Sequence, residues 1–358
     1  FIATGPQRLP TNAASAHWLQ PGPFEVAQRD YDFVDSSRDT NANRDVPGKA
    51  GRSLPATLWY PRGASGELPL IVHSHGILSS RAEMPYLMEA LASQGFLVIA
   101  ADYPLTNGST EGGANAADVV NQPADVSFLI DSVLALSGDD KPFAGSVDTS
   151  RIGLSGYSLG GLTTLLTTFH PRLRDPRITA ALAIAAPSAA FAPNYFDSVD
   201  TPLLAIAGTA DALIEHRRNA ADLPVRDAQT ALVSIDGGSH LGFVGVAEPT
   251  FRFMDNPDTL GCSAVLAVLG EDPNAVFNDI GTVAEGVDMS RDLPGVCDQT
   301  MQTALHPGRQ QMITQAASVS FFVSQFDSDP QRRDAADQAL KTSLASDFAE
   351  ASFIASRP

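Results

Sequence analysis

The chain has 358 residues, of which 44% are hydrophobic and 18% charged. That is enough apolar side chain for one large core or two modest ones, which excludes disorder as the main state. Asp and Glu number 41 against 23 Lys and Arg, a formal charge of −18, the wrong sign for holding a phosphate backbone, so nucleic acid is not expected as a partner.

The longest apolar runs, Gly95 to Ala101 and Ala180 to Ala186, are far shorter than the roughly 20 residues of a membrane-spanning helix. No transmembrane segment is expected. Residue 1 is Phe, and no basic stretch followed by an apolar one comes after it, which reads as a targeting peptide already removed or lying outside this sequence.

The Pro/Gly-rich opening makes residues 1–28 an extended leader. Arg29 to Asp35 and Leu54 to Tyr60 read as paired strands, separated by the polar, turn-forming stretch Ser36 to Gly51. A strand-helix alternation follows. Strands are expected at Pro69 to His75, Gly95 to Ala101, Arg151 to Tyr157, Thr179 to Ala186, Pro202 to Gly208 and Ala231 to Asp236. Helices are expected at Glu83 to Gln94, Ala124 to Leu136 and Leu159 to Phe169.

The later strands are continuous runs of Val, Ile, Leu and Ala, the pattern of a parallel sheet covered on both faces. The expected fold class is therefore α/β: one twisted, mostly parallel sheet of about eight strands with helices on both faces. A single domain over 29–326 accommodates it, with a helical tail at 327–358. After Ala247 the pattern lapses into Pro, Asp, Gly and Asn until helical spacing resumes at Gln310. Residues 248–309 read as an insertion stapled onto the main domain, too short and polar for a core of their own.

Cys262 and Cys297 both fall in that insertion. Their even count, without a catalytic Cys setting, reads as one disulfide, with two buried free thiols as the alternative. A bridge implies an oxidising compartment, so the protein is expected to be secreted or periplasmic.

Gly156-Tyr157-Ser158-Leu159-Gly160 fits Gly-x-Ser-x-Gly. Such a match arises by chance about 0.2 times in a chain of this composition, so alone it is weak. Its context strengthens it, because an apolar strand precedes Ser158 and a helix begins directly after it. A Ser on so sharp a turn projects above the sheet at a helix N-terminus, where an oxyanion is stabilised.

A serine hydroxyl needs a base, and neutral imidazole suits that task. His240 follows the last expected strand in the glycine-rich loop Gly237-Gly238-Ser239-His240-Leu241-Gly242. His17, His170, His216 and His306 have no comparable placement. Asp211 lies just past the strand Pro202 to Gly208 and is the candidate to orient the imidazole; Asp236 and Asp102 are weaker candidates. Asp211 could instead cap a helix at Ala212 to Ala220, and both roles coexist only if its carboxylate faces the His.

Backbone N–H groups of Leu159 and Ile77 are the expected oxyanion donors, with Gly76 permitting the turn before Ile77. His73 and His75 form an H-x-H pair, but the setting is poor for zinc. No metal is expected, and His75 reads as a brace for the oxyanion loop. Leu78, Tyr103, Tyr157 and Phe243 are candidates to line an apolar substrate pocket, although core packing is an alternative for each.

The order Ser158, Asp211, His240 resembles that of the α/β-hydrolase superfamily. More narrowly, the chain resembles the predicted dienelactone hydrolase-like group that is similar to platelet-activating-factor acetylhydrolases. Besides the triad, the likeness rests on Leu54 to Pro61, Leu70 to Gly76, Gln122 to Asp131 and Thr201 to Asp211. It implies a serine carboxylic-ester hydrolase without metal or organic cofactor. Dienelactone hydrolases themselves use a cysteine nucleophile, whereas Ser stands at 158.

Small or short-chain esters are the expected substrates. Polyesters cut by the same mechanism are an alternative, and a non-catalytic binding protein on the same fold is the rival from another class.

Overall fold

The computed structural model describes residues 6, 8–9, 12–197, 199–227, 229–269 and 276–355. A short 3-10 turn, Ala14–Leu19, buries Trp18 against the main core before β1 (Val26–Asp35) begins. The first strand thus starts inside the expected leader. β1 pairs antiparallel with β2 (Arg52–Pro61), from Val26 opposite Pro61 to Asp35 opposite Arg52.

The alternation then runs through β3 (Glu67–Ser74), α1 (Pro85–Ser93), β4 (Leu97–Ala101), α2 (Gln122–Ala135), β5 (Ser146–Tyr157), α3 (Leu159–Phe169), β6 (Ile178–Ile184), β7 (Leu203–Gly208), α4 (Leu223–Arg226) and β8 (Thr230–Ile235). After β8 come α5 (Ala247–Phe251), α6 (Asp258–Leu269), α7 (Pro307–Phe326), α8 (Pro330–Gln338), α9 (Leu344–Asp347) and β9 (Ala351–Ala355). Among the described residues the sheet has nine strands in the order β1-β2-β4-β3-β5-β6-β7-β8-β9. Its centre is parallel and its flanks are antiparallel.

Along β6 the side chains alternate between the two faces. Leu182 and Ile184 meet α1 and α7 in one cluster, while Ala181 and Ala183 lie under α3 in another. The small alanines let α3 come close to the sheet. No helix among the described residues is long and apolar enough to cross a membrane.

Three expectations are corrected. The sheet has a ninth strand, and it comes from what reads as a helical tail: β9 pairs antiparallel with β8, Ala231 opposite Ala355. Five residues with only Ala351 well buried carry little signal of their own, and the pairing edge of β8 recruits them. No helix forms at Ala212 to Ala220; a π-helical turn at Arg217–Ala221 stands there instead. β5 also begins at Ser146, earlier than its apolar run, because Ser146 and Val147 pair with Glu67 and Leu68 of β3.

The described residues of 248–309 fold onto the main domain. Phe277, Ile280 and Val287 join the α3 cluster, and Cys262 is bonded to Cys297. At the opposite end of the sheet, a buried ionic network holds β2 to α2. The Arg52 guanidinium reaches Asp118 at 2.8 Å and Asp125 at 2.7 Å, and Arg38 adds a 2.6 Å contact to Asp125. All of Arg52, Asp118 and Asp125 are buried, so each charge depends on the others for solvation. Arg52→Met strips Asp118 of its counter-ion and is expected to cost about 3–5 kcal/mol in urea unfolding at pH 7. A cost below about 1 kcal/mol would show that water or neighbouring groups replace the guanidinium.

Candidate active site

Ser158 sits at the turn between β5 and α3 with φ 53° and ψ −119°, a left-handed conformation costly for a residue with a Cβ. Its N–H is held by the Ile184 carbonyl at 2.8 Å. The flanking glycines answer a packing demand. A Cβ on Gly156 would lie 2.0 Å from the Gly160 oxygen, and one on Gly160 would lie 1.9 Å from the Ser74 oxygen. The turn is therefore this tight only because two positions lack side chains.

The Ser158 hydroxyl lies 2.9 Å from His240 Nε2, and His240 Nδ1 lies 2.8 Å from Asp211 Oδ2. The imidazole donates its Nδ1–H to the carboxylate, which fixes the tautomer and leaves the Nε2 lone pair to accept the hydroxyl proton. The other Asp211 oxygen accepts the N–H groups of Leu213 and Ile214. Holding its own loop and facing the imidazole coexist, one oxygen for each. The Asp211 and His240 loops touch directly, since a Cβ on Gly208 would fall 2.1 Å from the Gly238 oxygen.

His240 is gripped from several sides. Tyr157 donates its hydroxyl to the His240 carbonyl at 2.9 Å, and Asp258 accepts the N–H groups of Ala212, His240 and Leu241. Gln310 of α7 exchanges two hydrogen bonds with the backbone of Ser239. Burial alone would pull the imidazole down, but the charge and hydrogen bond of Asp211, joined by Asp258 and Glu83, hold it above its ordinary 6.5. The Asp258 carboxyl is itself pushed up, first by burial and then by the charge of Asp211.

Opposite Ser158, the loop after β3 presents Ile77. The Gly76 N–H is taken by Glu83 and the Leu78 N–H by the Thr106 carbonyl. Between them the Ile77 N–H has no acceptor among the described residues. The Leu159 N–H, first in α3, is likewise one of the unclaimed donors at a helix start.

His75 props this loop: it donates from Nδ1 to the Gly76 carbonyl at 2.7 Å and accepts the Tyr103 N–H at Nε2. Burial pushes this imidazole down, toward the neutral form that such bonding requires. His73 bridges Ser155 and Glu83.

Two cavities meet at Ser158 and His240. An inner one is lined by Ile77, Leu159, Leu213 and residues of the 248–309 segment. An outer groove is lined by Leu78, Tyr157, Leu241 and Val244 and shares Ile77 and Leu213 with the inner one. Leu78 and Tyr157 border the outer groove. Tyr103 does not: it is fully buried in the α2 cluster, its hydroxyl bonded to Ser74 at 2.7 Å. Phe243 also belongs to the core, its ring buried in the α1 and α7 cluster, and its carbonyl accepts the Tyr86 hydroxyl. The other acids considered lie elsewhere, Asp102 paired with Arg81 and Asp236 accepting from Thr209.

Residues 35–255 match the PET hydrolase-like family. The chain belongs to that family. Cutinase cut1 of Thermobifida fusca is 25% identical over 235 residues, 64% of this chain and 66% of the cutinase. Cutinase 2 of Thermobifida cellulosilytica is 26% identical over 187 residues, 51% of this chain and 64% of its own. The chain thus spans just under two thirds of the length of these curated relatives.

A solved ferulic acid esterase from Streptomyces cinnamoneus superposes with a TM-score of 0.55 over 86% of this chain and 92% of its own, at 18% identity. This likeness shows the fold. The α/β-hydrolase resemblance read from the sequence is borne out.

Asp258, Glu83 and Gln310 are the site residues that sequence reasoning missed. Asn256-Pro257-Asp258 carries a helix-start signature, and nothing in it foretells that the carboxylate turns back toward two distant loops. In this PET hydrolase-like chain, an NMR titration of the His240 ring is expected to give a midpoint above 6.5. Asp211→Asn and Asp258→Asn should each lower it, since each removes a negative charge that favours imidazolium. A midpoint unmoved in Asp258→Asn would show that His240 does not sense that carboxylate.

Proposed function

We propose that this chain is a serine carboxylic-ester hydrolase working through an acyl-enzyme, with small or short-chain esters as its first substrate class. The observation that carries this reading is the buried hydrogen-bonded line from Ser158 Oγ through His240 to Asp211. Ser158 Oγ bonds to the ester carbonyl carbon while its proton passes to His240 Nε2. The imidazolium, stabilised by Asp211, returns that proton to the departing alkoxide as the carbon–oxygen bond to the alcohol breaks. Water then repeats the sequence on the acyl-enzyme and releases the acid.

The Ile77 and Leu159 N–H groups are the proposed oxyanion donors, together worth several kcal/mol in the transition state at about 3 kcal/mol each. Glu83 is a positioning residue: by holding the Gly76 N–H it sets the turn from which Ile77 projects.

Polyester hydrolysis by the same chemistry is the second reading. It is favoured by the PET hydrolase-like match and by the cutinase relatives. The Cys262–Cys297 bridge supports an oxidising compartment, secreted or periplasmic.

Ser158 is expected to be the residue labelled by a fluorophosphonate on peptide mapping. Ser158→Ala should lower kcat on 4-nitrophenyl acetate by about 10⁴- to 10⁶-fold; equal turnover by the two proteins would sink the reading. The base must be neutral, and its value is raised, so kcat/KM should climb with pH along a limb centred above 6.5. A flat profile from pH 5 to 9, with chemistry rate-limiting, would remove His240 from the role of base.

A further inference from the structure

One buried side chain connects the two loops that carry the proposed oxyanion donors. Gln122, the first residue of α2, has no exposed surface. Its Nε2 donates to the Thr106 hydroxyl at 2.8 Å, and its Oε1 accepts the hydroxyl of Thr163 in α3. Thr106 and Thr163 are as fully buried as Gln122.

Each hydroxyl leads to one donor. The Thr163 hydroxyl also lies 3.1 Å from the Leu159 carbonyl, so the Gln122 amide anchors the first turn of α3, where Leu159 offers its N–H. On the other side, the Thr106 carbonyl accepts the Leu78 N–H at 2.9 Å, and Leu78 directly follows Ile77. Leu78 has φ 63°, a left-handed conformation that a residue with a Cβ holds only where its surroundings impose it. The same two loops meet again at Gly108, whose N–H is taken by the Ser79 carbonyl and where a Cβ would lie 2.5 Å from the Leu78 oxygen.

The Ile77 peptide is thus clamped from both flanks. Glu83 holds the Gly76 N–H before it, and Thr106 holds the Leu78 N–H after it. Gln122 carries the second clamp across to α3, because its amide spans from Thr106 to Thr163. A hydrocarbon side chain of the same length would fill that space with no polar group of its own to satisfy. What the amide adds is direction, a fixed separation between two backbone segments.

We propose that Gln122 is a positioning residue that sets the spacing of the two oxyanion donors, an inference that rests on Ile77 and Leu159 filling that role. Without the amide bridge the strained Leu78 turn relaxes away from α3. The tetrahedral oxyanion then loses a donor, while the ester ground state, which needs the donors less, binds as before.

The test compares Gln122→Met, Thr106→Val and Thr106→Ser on the full chain with 4-nitrophenyl acetate. Gln122→Met should lower kcat about ten- to hundredfold with KM changed by less than about twofold, and should weaken a trifluoromethyl ketone, whose adduct places an oxyanion between the donors, by a similar factor. The His240 midpoint should stay at its wild-type position, because Gln122 is uncharged and its amide bonds to Thr106 and Thr163 rather than to the triad. Thr106→Val should reproduce the loss, and Thr106→Ser, which keeps the hydroxyl, should not. Gln122→Met and Thr106→Val together should cost no more than the larger single loss, since both break one link.

Full kcat in a folded Gln122→Met overturns the proposal. So does a loss carried by KM, a shifted His240 midpoint, or a double variant whose losses multiply. If Gln122→Met does not fold, the Thr106 pair decides, and equal turnover by the Val and Ser variants overturns the proposal. If no ester is cleaved and a fluorophosphonate fails to label Ser158, the hydrolase reading has failed and the spacing role falls with it. Labelling of Ser158 with a kcat indifferent to both positions sinks the spacing role alone.

Discussion

The site depends on how closely four backbone segments approach at the carboxyl ends of β3, β5, β7 and β8. Gly160 packs against the Ser74 carbonyl, Gly156 against that of Gly160, and Gly208 against that of Gly238, at separations that leave no room for a Cβ. These contacts bring the loops bearing Ile77, Ser158, Asp211 and His240 onto one rim, although the residues lie far apart along the chain. The strain at Ser158 follows from the same crowding, and the hydrogen bond from its N–H to Ile184 helps hold it there.

Around that rim, buried carboxylates do work that the chemistry-bearing residues cannot do for themselves. Asp258 gathers three N–H groups from the Asp211 and His240 loops, and Glu83 gathers the Gly76 N–H and the His73 ring. Each locks a loop whose neighbouring N–H or side chain faces Ser158. The same negative charges raise the His240 imidazole. Positioning and electrostatic tuning therefore come from one set of groups.

The 248–309 segment, read from its polar composition as an appendage, is integral to the site. Asp258 at the start of α6 fastens both loops, and apolar residues further along wall the inner cavity. Its composition misleads because the apolar residues are spaced among Asp, Gly and Asn in no regular period. Phe277, Ile280 and Val287 need no period, because they pack into the α3 cluster of the main domain. Tyr103 and Phe243 show the converse. Both stand close in sequence to loops at the site, yet their rings are buried in the two core layers.

What the sequence by itself determined was local. The continuous apolar runs of the central strands, the strand-to-helix change around Ser158 and the glycines beside it could be read directly, since burial on both faces and a close backbone approach leave marks on neighbouring residues. The order of Ser158, Asp211 and His240, each past a strand end, was legible for the same reason. The tertiary structure alone decided which edge recruits β9, how Asp258 turns back to two loops, and that the cystine joins two walls of one cavity. Those outcomes depend on surfaces that do not exist until the sheet has formed, and no periodicity in the chain encodes them.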